Sequence, residues 1–143
     1  MLFNVSVIDS DYKPKMHYYW IKQAQQDFCL MAVRKDVNGE LALYASNCTM
    51  DTHAVEYTVT AYDENCNGKI IASGRCVQKE NSSELIQKTG EIETPELWII
   101  KWIENGEEFL NHAITKKVDL DVLKRWAKII SDECGYQLNE LIM

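Results

Sequence analysis

The chain has 143 residues, of which 46 % are hydrophobic and 26 % charged, and its formal net charge at pH 7 is −7. This balance is typical of one globular domain with small extensions, and it excludes an intrinsically disordered chain. No basic stripe offsets the acidic charge, so we expect neither nucleic acid nor an anionic membrane as a partner. No apolar run approaches the ~20 residues of a transmembrane helix, and residues 2–8 are too short for a signal peptide and lack its basic flank.

Five cysteines are spread along the chain without a CxxC pair: Cys29, Cys48, Cys66, Cys76 and Cys134. Zinc sites use ligand pairs at close spacing, so we expect no zinc site, and no other motif in the sequence indicates a cofactor. The odd count leaves room for one disulfide, but scattered buried thiols are the favoured interpretation.

The first elements in chain order are an extended segment over residues 1–12 and a short helix. Met16, Trp20 and Ala24 recur at positions i, i+4 and i+8, which is the spacing of one helical stripe. We therefore predict a helix that ends near Gln26.

From Phe28 onward the apolar period changes to two, which is typical of strands. The sequence predicts six or seven strands, over residues 28–35, 40–46, 54–62, 69–78, 84–88, 96–104 and 108–115. Asn38-Gly39 and Asn105-Gly106 are hairpin signals, and Gly74 indicates a bulge or a close approach of another group. Short strands with frequent turns and no crossover helix predict an antiparallel β-sandwich.

The chain closes with a predicted helix. Asp119 suits its N-cap and Gly135 suits the residue that ends it. The apolar residues of this segment keep helical spacing: Leu120, Leu123, Trp126, Ala127, Ile129 and Ile130. The predicted fold class is therefore mainly β, with a short N-terminal helix and a C-terminal helix.

Three stretches carry a resemblance to a known family. Val7 to Lys15, followed by Tyr18-Tyr19, resembles the junction after the catalytic barrel of family 2 glycoside hydrolases. Glu108 to His112 resembles the last sandwich strand of the β-mannosidase-like branch, and Leu120 to Trp126 resembles the helix that often closes it. The resemblance covers most of the chain, from about residue 7 to residue 130.

The resemblance implies an immunoglobulin-like sandwich beside a (β/α)8 barrel. Residues 1–26 would be the connecting segment and helix from the end of the barrel, 27–117 the sandwich, and 118–143 the C-terminal helix and tail. In this family two carboxylates of the barrel do the hydrolysis, about 5–5.5 Å apart in retaining enzymes. A barrel needs roughly 250 residues, for which this chain has no room, so no catalytic residue is carried over.

The function that the resemblance implies is that of a non-catalytic accessory domain. Its partner would be the catalytic barrel of a parent enzyme that hydrolyses β-glycosidic bonds of the β-mannoside or β-galactoside type. If the parent degrades polysaccharides in a bacterium, the resemblance implies a periplasmic or secreted protein. A free-standing carbohydrate-binding or protein-interaction sandwich is the alternative, and a self-contained enzyme is a third hypothesis.

Six aromatic residues are candidates for the barrel interface or for stacking on an oligosaccharide: Tyr18, Tyr19, Trp20, Trp98, Trp102 and Trp126. Trp98 and Trp102 are four residues apart in a predicted strand and therefore share a face. That face either binds sugar rings or is buried in the core of the sandwich or at its interface with the terminal helix, and burial in the core or the interface is the favoured interpretation.

Other polar candidates have simpler interpretations. We expect the acid-rich segments at residues 63–68, 91–96 and 104–108 to be solvated turns rather than acid pairs or calcium sites. His112 is predicted to be a structural hydrogen-bonding residue in a strand.

Overall fold

The structure, a computed structural model, describes residues 16–34 and 40–135. Within these residues the chain forms two helices and seven strands, in the order α1 (Met16–Ala24), β1 (Phe28–Arg34), β2 (Leu41–Asn47), β3 (His53–Tyr62), β4 (Gly68–Gln78), β5 (Ser82–Lys88), β6 (Leu97–Glu104), β7 (Glu107–Ile114) and α2 (Leu120–Cys134). The predicted bounds agree within two residues. The extended segment over residues 1–12, the stretch from Val7 to Lys15 and the Asn38-Gly39 turn lie outside the described residues.

The strands form two antiparallel sheets, which confirms the mainly β prediction. One sheet has the order β1-β2-β5 and the other has the order β4-β3-β6-β7. Side chains from both sheets meet in one buried apolar cluster, with Leu30 and Leu43 from the first sheet and Val59, Trp98 and Ile100 from the second. Because this cluster lies between the two sheets, the fold is a β-sandwich.

β3 has one buried and one wetter face, as its alternating sequence predicts. Val55, Tyr57 and Val59 are buried, whereas Glu56 between them is exposed. β6 is different, because four consecutive residues from Leu97 to Ile100 are buried. Such a strand needs cover on both faces.

α2 covers the face of β6 that points away from the sandwich core. Leu97 and Ile99 point away from the sandwich core and pack with Val122, Trp126 and Ile130 of α2 in a second apolar cluster. The predicted helix and the Gly135 ending are confirmed, with Gly135 in the left-handed conformation at φ 67°. Asp119 occupies the N-cap position, but its side chain makes no capping hydrogen bond.

The prediction that Leu120 belongs to the apolar stripe of this helix is wrong. Its side chain is 53 % exposed, and Val122 is buried instead. Successive helical residues are about 100° apart, so Leu120, the first residue of α2, lies about 120° from Trp126, whereas Val122 lies only about 40° from it. Leu120 fits the spacing of the apolar residues but not the face that contacts the sheet.

The β6–β7 hairpin turns at Asn105-Gly106, as predicted. Both residues have positive φ, 51° for Asn105 and 79° for Gly106. Two consecutive positive φ values define the type I′ turn, whose twist matches that of the flanking strands.

Side-chain hydrogen bonds link the two sheets on both sides of the sandwich. The Asn111 side chain of β7 donates to the Leu30 carbonyl of β1 at 2.9 Å, and Arg34 donates to the Thr115 carbonyl at 2.8 Å. On the other side the Tyr57 hydroxyl donates to Gln87 at 3.0 Å.

Gly74 makes room for the Tyr57 hydroxyl. A Cβ at Gly74 would lie 3.0 Å from that oxygen, so this glycine marks the close approach that the sequence indicated. The bulge between β3 and β4 lies elsewhere, where the register shifts between Val59 and Thr60.

Candidate functional site

Three of the six aromatic candidates have no ring surface to offer a ligand. Trp98 and Trp126 are 0 % exposed and Trp102 is 1 % exposed. Trp102 stacks on Phe109 inside the sandwich, whereas Trp126, a residue of α2, packs against β6 and donates through Nε1 to the Asp63 carbonyl at 2.9 Å. The glycan-stacking or interface role is therefore wrong for these three, because the core and α2 enclose their rings.

The other three aromatic candidates lie on α1. Tyr18 is half-buried and Tyr19 is buried, and their rings meet edge to face with 5.3 Å between centroids. Trp20 is 45 % exposed and Ile21 is 46 % exposed, so together they give α1 an exposed apolar side. Trp20 has the most exposed ring of the six candidates.

An open cleft of about 480 Å³ lies between α1 and the edge where β1 meets β7. The residues that line it come from these three elements: Trp20, Gln23, Ala24, Cys29, Met31, Asn111, His112, Ala113 and Ile114. Apolar surface from α1 and both strands thus combines with three polar side chains, which is the usual composition of a small binding site.

His112 is the polar residue that joins α1 to the sandwich. The Trp20 indole donates through Nε1 to His112 Nε2, and the Gln23 side-chain amide lies 3.4 Å from His112 Nδ1. An indole can only donate, so Nε2 must be unprotonated and the neutral ring carries its proton on Nδ1, which makes the 3.4 Å approach of Gln23 Nε2 to Nδ1 a contact between two N–H groups rather than a hydrogen bond. Burial lowers the pKa of His112 to about 4, which keeps the ring neutral at pH 7. The predicted role of His112 as a structural hydrogen-bonding residue is confirmed.

A second polar cluster lies at the end of the sandwich that holds the β2–β3 loop and the β6–β7 hairpin. His53 Nδ1 donates to Glu104 Oε1 at 2.8 Å, and its Nε2 lies 2.9 Å from Thr49 Oγ1. The His53 ring stacks on Phe28 with 4.5 Å between centroids. The three groups contact one another in the order carboxylate, imidazole, hydroxyl, which is the order of the groups in a hydrolase triad.

The environment of the Thr49 hydroxyl argues against a nucleophile. Its shortest contact is a donation to Asn47 Oδ1 at 2.7 Å, and the backbone N–H of Asp51 donates to Thr49 Oγ1 at 3.3 Å. The hydroxyl is therefore engaged in its own turn rather than presented to a substrate. The cluster of Thr49, His53 and Glu104 fastens the loop and the hairpin to the start of β1.

The acid-rich turn after β3 supports α2. The Asp63 carboxylate accepts the backbone N–H groups of Asn65 and Asn67, each at 2.9 Å, and these bonds, that of Asn67 foremost, lower the pKa of Asp63. Arg125 of α2 donates to the Glu64 carbonyl at 2.9 Å. Within the described residues no three His, Cys, Asp or Glu side chains gather as metal ligands would.

The thiol in the cleft is a poor nucleophile. Cys29 is buried, and burial, with a smaller contribution from nearby Cys48, raises the pKa of the Cys29 thiol. A raised pKa keeps the sulfur protonated at neutral pH. Cys29, Cys48, Cys66 and Cys76 are all free thiols. The sequence favoured buried thiols, but of these four only Cys29 is buried and Cys48 is exposed.

Comparisons with protein-family models, with curated proteins and with solved structures find no match to this chain. The described residues contain two helices, α1 and α2, and neither is long and apolar enough to cross a membrane. The features that bear on function are the strand order, the exposed side of α1 and the cleft. The sequence did not predict the cleft, because Trp20 and His112 are 92 residues apart and no spacing pattern links them.

Proposed function

We propose that this chain is a non-catalytic accessory domain of a family 2 glycoside hydrolase of the β-mannosidase-like branch. It would pack against a (β/α)8 barrel and stabilise it. The observation that carries the proposal is the strand order, β1-β2-β5 against β4-β3-β6-β7, between two flanking helices.

This order supports the immunoglobulin-like sandwich that the family resemblance implies. In the constant-type immunoglobulin fold, strands A, B and E share one sheet with D, and strands C, F and G form the other. In an immunoglobulin-like sandwich, β1, β2 and β5 would correspond to strands A, B and E, and β3, β6 and β7 to strands C, F and G. The fourth strand differs, because β4 pairs with β3 instead of β5.

The exposed side of α1 supports a domain interface on the same molecule. Trp20 and Ile21 present neighbouring apolar side chains to solvent. Aromatic and aliphatic side chains of this kind are enriched in the buried centre of interfaces between proteins or domains. In the proposed parent enzyme the barrel would precede α1, so these two residues would contact it.

The residues that line the cleft favour a non-catalytic accessory role over hydrolysis. A glycosidase places two carboxylates on either side of the scissile bond. Among the described residues that line the cleft there is no Asp or Glu.

The first test is to assay aryl β-mannosides and β-galactosides with the purified chain and with the complete product of its gene. We expect turnover by the complete product and none by the chain alone. A gene without a barrel-coding region, or turnover by the chain alone, would contradict the proposal.

A second test addresses the interface itself. In the complete enzyme, Trp20→Ala combined with Ile21→Ala should lower the temperature of thermal inactivation, because the contact with the barrel is lost. Lys22→Ala changes an exposed polar side chain of the same helix and serves as the matched control. Equal inactivation temperatures for both variants would argue against docking through α1.

A glycan-binding module is the second candidate function, and the cleft is the observation that favours it. Trp20 is half-exposed at the cleft, and Gln23 and Asn111 add amide groups that can hydrogen-bond sugar hydroxyls. An NMR titration with manno- and galacto-oligosaccharides tests this function. Saturable shifts of the Trp20 indole and the Asn111 amide would favour glycan binding, whereas a spectrum that does not move would leave the accessory role.

A further inference from the structure

The cleft between α1 and the edge where β1 meets β7 has apolar surface on all three of its sides. α1 contributes the half-exposed ring of Trp20, and β1 contributes two sulfur-containing side chains. The apolar members of the lining are Trp20, Ala24, Cys29, Met31, Ala113 and Ile114. Such a lining favours a ligand whose own surface is largely apolar, because burial of that surface drives the binding.

The lining carries no formal charge at pH 7. None of the described residues that line the cleft is Asp, Glu, Lys or Arg. The Cys29 thiol is protonated because burial raises its pKa, and His112 accepts the bond from Trp20 as a neutral ring. An ionic ligand would therefore lose part of its hydration in the cleft without gaining a charged partner. The cleft fits a neutral ligand.

The polar atoms of Asn111 each have a partner within the protein. Its amide nitrogen donates to the Leu30 carbonyl at 2.9 Å, and its side-chain oxygen accepts the backbone N–H of His112 at 2.8 Å. A sugar presents several hydroxyl groups, and each of them costs free energy if it is buried without a partner. A ligand with at most one hydroxyl group avoids this cost, because the open cleft leaves that group in water. The lining therefore favours such a ligand over a sugar.

The side chains of the cleft also favour an aromatic ligand over an aliphatic one. The Trp20 ring is available for offset stacking or an edge-to-face contact. Sulfur atoms make favourable contacts with aromatic rings, and Cys29 and Met31 supply two of them. An apolar cavity of about 150 Å³ holds one benzene ring, whereas the cleft has about 480 Å³. The cleft thus has room for a fused pair of rings.

We propose that the cleft binds a neutral aromatic small molecule with a fused pair of rings, held between Trp20 of α1 and the sulfur-containing side chains of β1. This inference does not depend on the proposed accessory role, and it competes with glycan binding at the same cleft. The site would lie beside the exposed side of α1, and ligand sites are common at the boundaries between domains.

The test is an NMR titration of the full chain with 2-naphthol at pH 7. We expect saturable shifts of the Trp20 indole N–H and the Met31 methyl group, with a dissociation constant on the order of 0.1–1 mM. The indoles of Trp98 and Trp126 are fully buried and should not move. Shifts that do not saturate, or that are absent from Trp20 and Met31, would overturn the proposal.

Two further ligands test the chemical class. Decahydro-2-naphthol has the same fused skeleton without aromatic rings, so it should bind about three- to tenfold more weakly than 2-naphthol. A manno-oligosaccharide at the same concentration should not shift the Trp20 indole N–H. Equal affinity for the saturated compound, or a saturable response to the oligosaccharide alone, would overturn the proposal.

A pair of phenylalanine variants places the ligand in the cleft. Ala24 lines the cleft and is exposed, so Ala24→Phe should fill part of the cleft without disturbing the core and weaken binding at least about tenfold. Gln25→Phe introduces the same ring at the next position, which is exposed and outside the described lining, and should bind like the wild type. Equal affinity of the two variants for 2-naphthol would overturn the proposal.

The complete product of the gene distinguishes a free ligand from a protein side chain in the cleft. We expect it to bind 2-naphthol with the affinity of the chain alone. Loss of binding in the complete product would mean that another segment of the protein fills the cleft, and would overturn the proposal. The accessory role is judged separately, by the turnover of aryl glycosides.

Discussion

His53 connects three separate parts of the chain through one ring. Its face stacks on Phe28 at the start of β1, Nδ1 donates to Glu104 at the end of β6, and Nε2 contacts Thr49 in the β2–β3 loop. The carboxylate is a charged acceptor, so this hydrogen bond is charge-assisted and stronger than a bond between neutral groups. His53 and Glu104 are each 19 % exposed, so water screens this interaction only partly.

Glu104→Gln should lower the free energy of unfolding by about 1 kcal/mol, because the amide replaces a charged acceptor with a neutral one. Urea unfolding at pH 7 measures the change. Glu107→Gln, in the same hairpin but exposed, is the control and should stay within about 0.5 kcal/mol of the wild type. If Glu104→Gln and Glu107→Gln have equal free energies of unfolding, the bond between Glu104 and His53 contributes nothing to stability.

His112 makes the stability of the protein depend on pH. Its folded-state pKa of about 4 lies below the usual value, so between pH 6.5 and 4 the unfolded state binds more protons. The contribution is complete above pH 6.5 and is lost as the pH falls toward 4. The loss is at most about 3 kcal/mol.

The pH effect can be measured as the difference in unfolding free energy between the wild type and His112→Gln. We expect the wild type to lose stability relative to the variant as the pH falls from 7 to 4.5. The carboxylates titrate in both proteins, so their effect cancels in the difference. A difference that does not vary with pH would contradict the prediction.

The β6–β7 hairpin is an element whose geometry depends on two backbone conformations. Gly106 has φ 79°, and a Cβ built on it would meet no atom within 4 Å. Gly106→Ala should therefore cost about 1 kcal/mol through conformational strain alone. Asn105→Gly, which also permits positive φ, should be nearly neutral in the same thermal unfolding experiment. An alanine variant as stable as the wild type would mean that the turn changes type.

α2 packs on the sheet through buried side chains, of which Trp126 is the largest. Trp126 is fully buried against Leu97 and Ile99 and also donates to the Asp63 carbonyl. Trp126→Ala should cost about 3–5 kcal/mol, because it leaves a large cavity and removes the donor to that carbonyl. Urea unfolding measures the loss, with exposed Lys128→Ala as the control on the same helix. A loss below about 1 kcal/mol would mean that α2 contributes little to the fold.

At the scale of the whole molecule, Asn111 links the two sheets. Its amide donates to the Leu30 carbonyl, and its side-chain oxygen accepts the backbone N–H of His112 at 2.8 Å. Asn111→Ala should lower stability by about 1–3 kcal/mol, because a carbonyl and an N–H group lose their partner in a partly buried place. Asn65→Ala, in an exposed turn, should stay within about 0.5 kcal/mol. A similar effect of both changes on the urea midpoint would contradict the linking role.

The proposed accessory role is also a property of the whole molecule. The sandwich and α2 enclose two buried apolar clusters, whereas α1 presents Trp20 and Ile21 to solvent. A packed sandwich that carries one helix with an exposed apolar side suits a domain that supports a neighbour.

The sequence by itself determined the elements and the fold class. Alternation in β3, the Asn105-Gly106 turn and the helical spacing around Trp126 are local signals, because each depends on residues that are close in the chain. Only the tertiary structure decided which faces are covered. Periodicity shows that Trp98 and Trp102 share a face, but the opposite sheet encloses that face, and α2 encloses the one with Leu97 and Ile99. The contact of Trp20 with His112 spans 92 residues, and such contacts arise only when folding brings α1 to the edge of the sandwich.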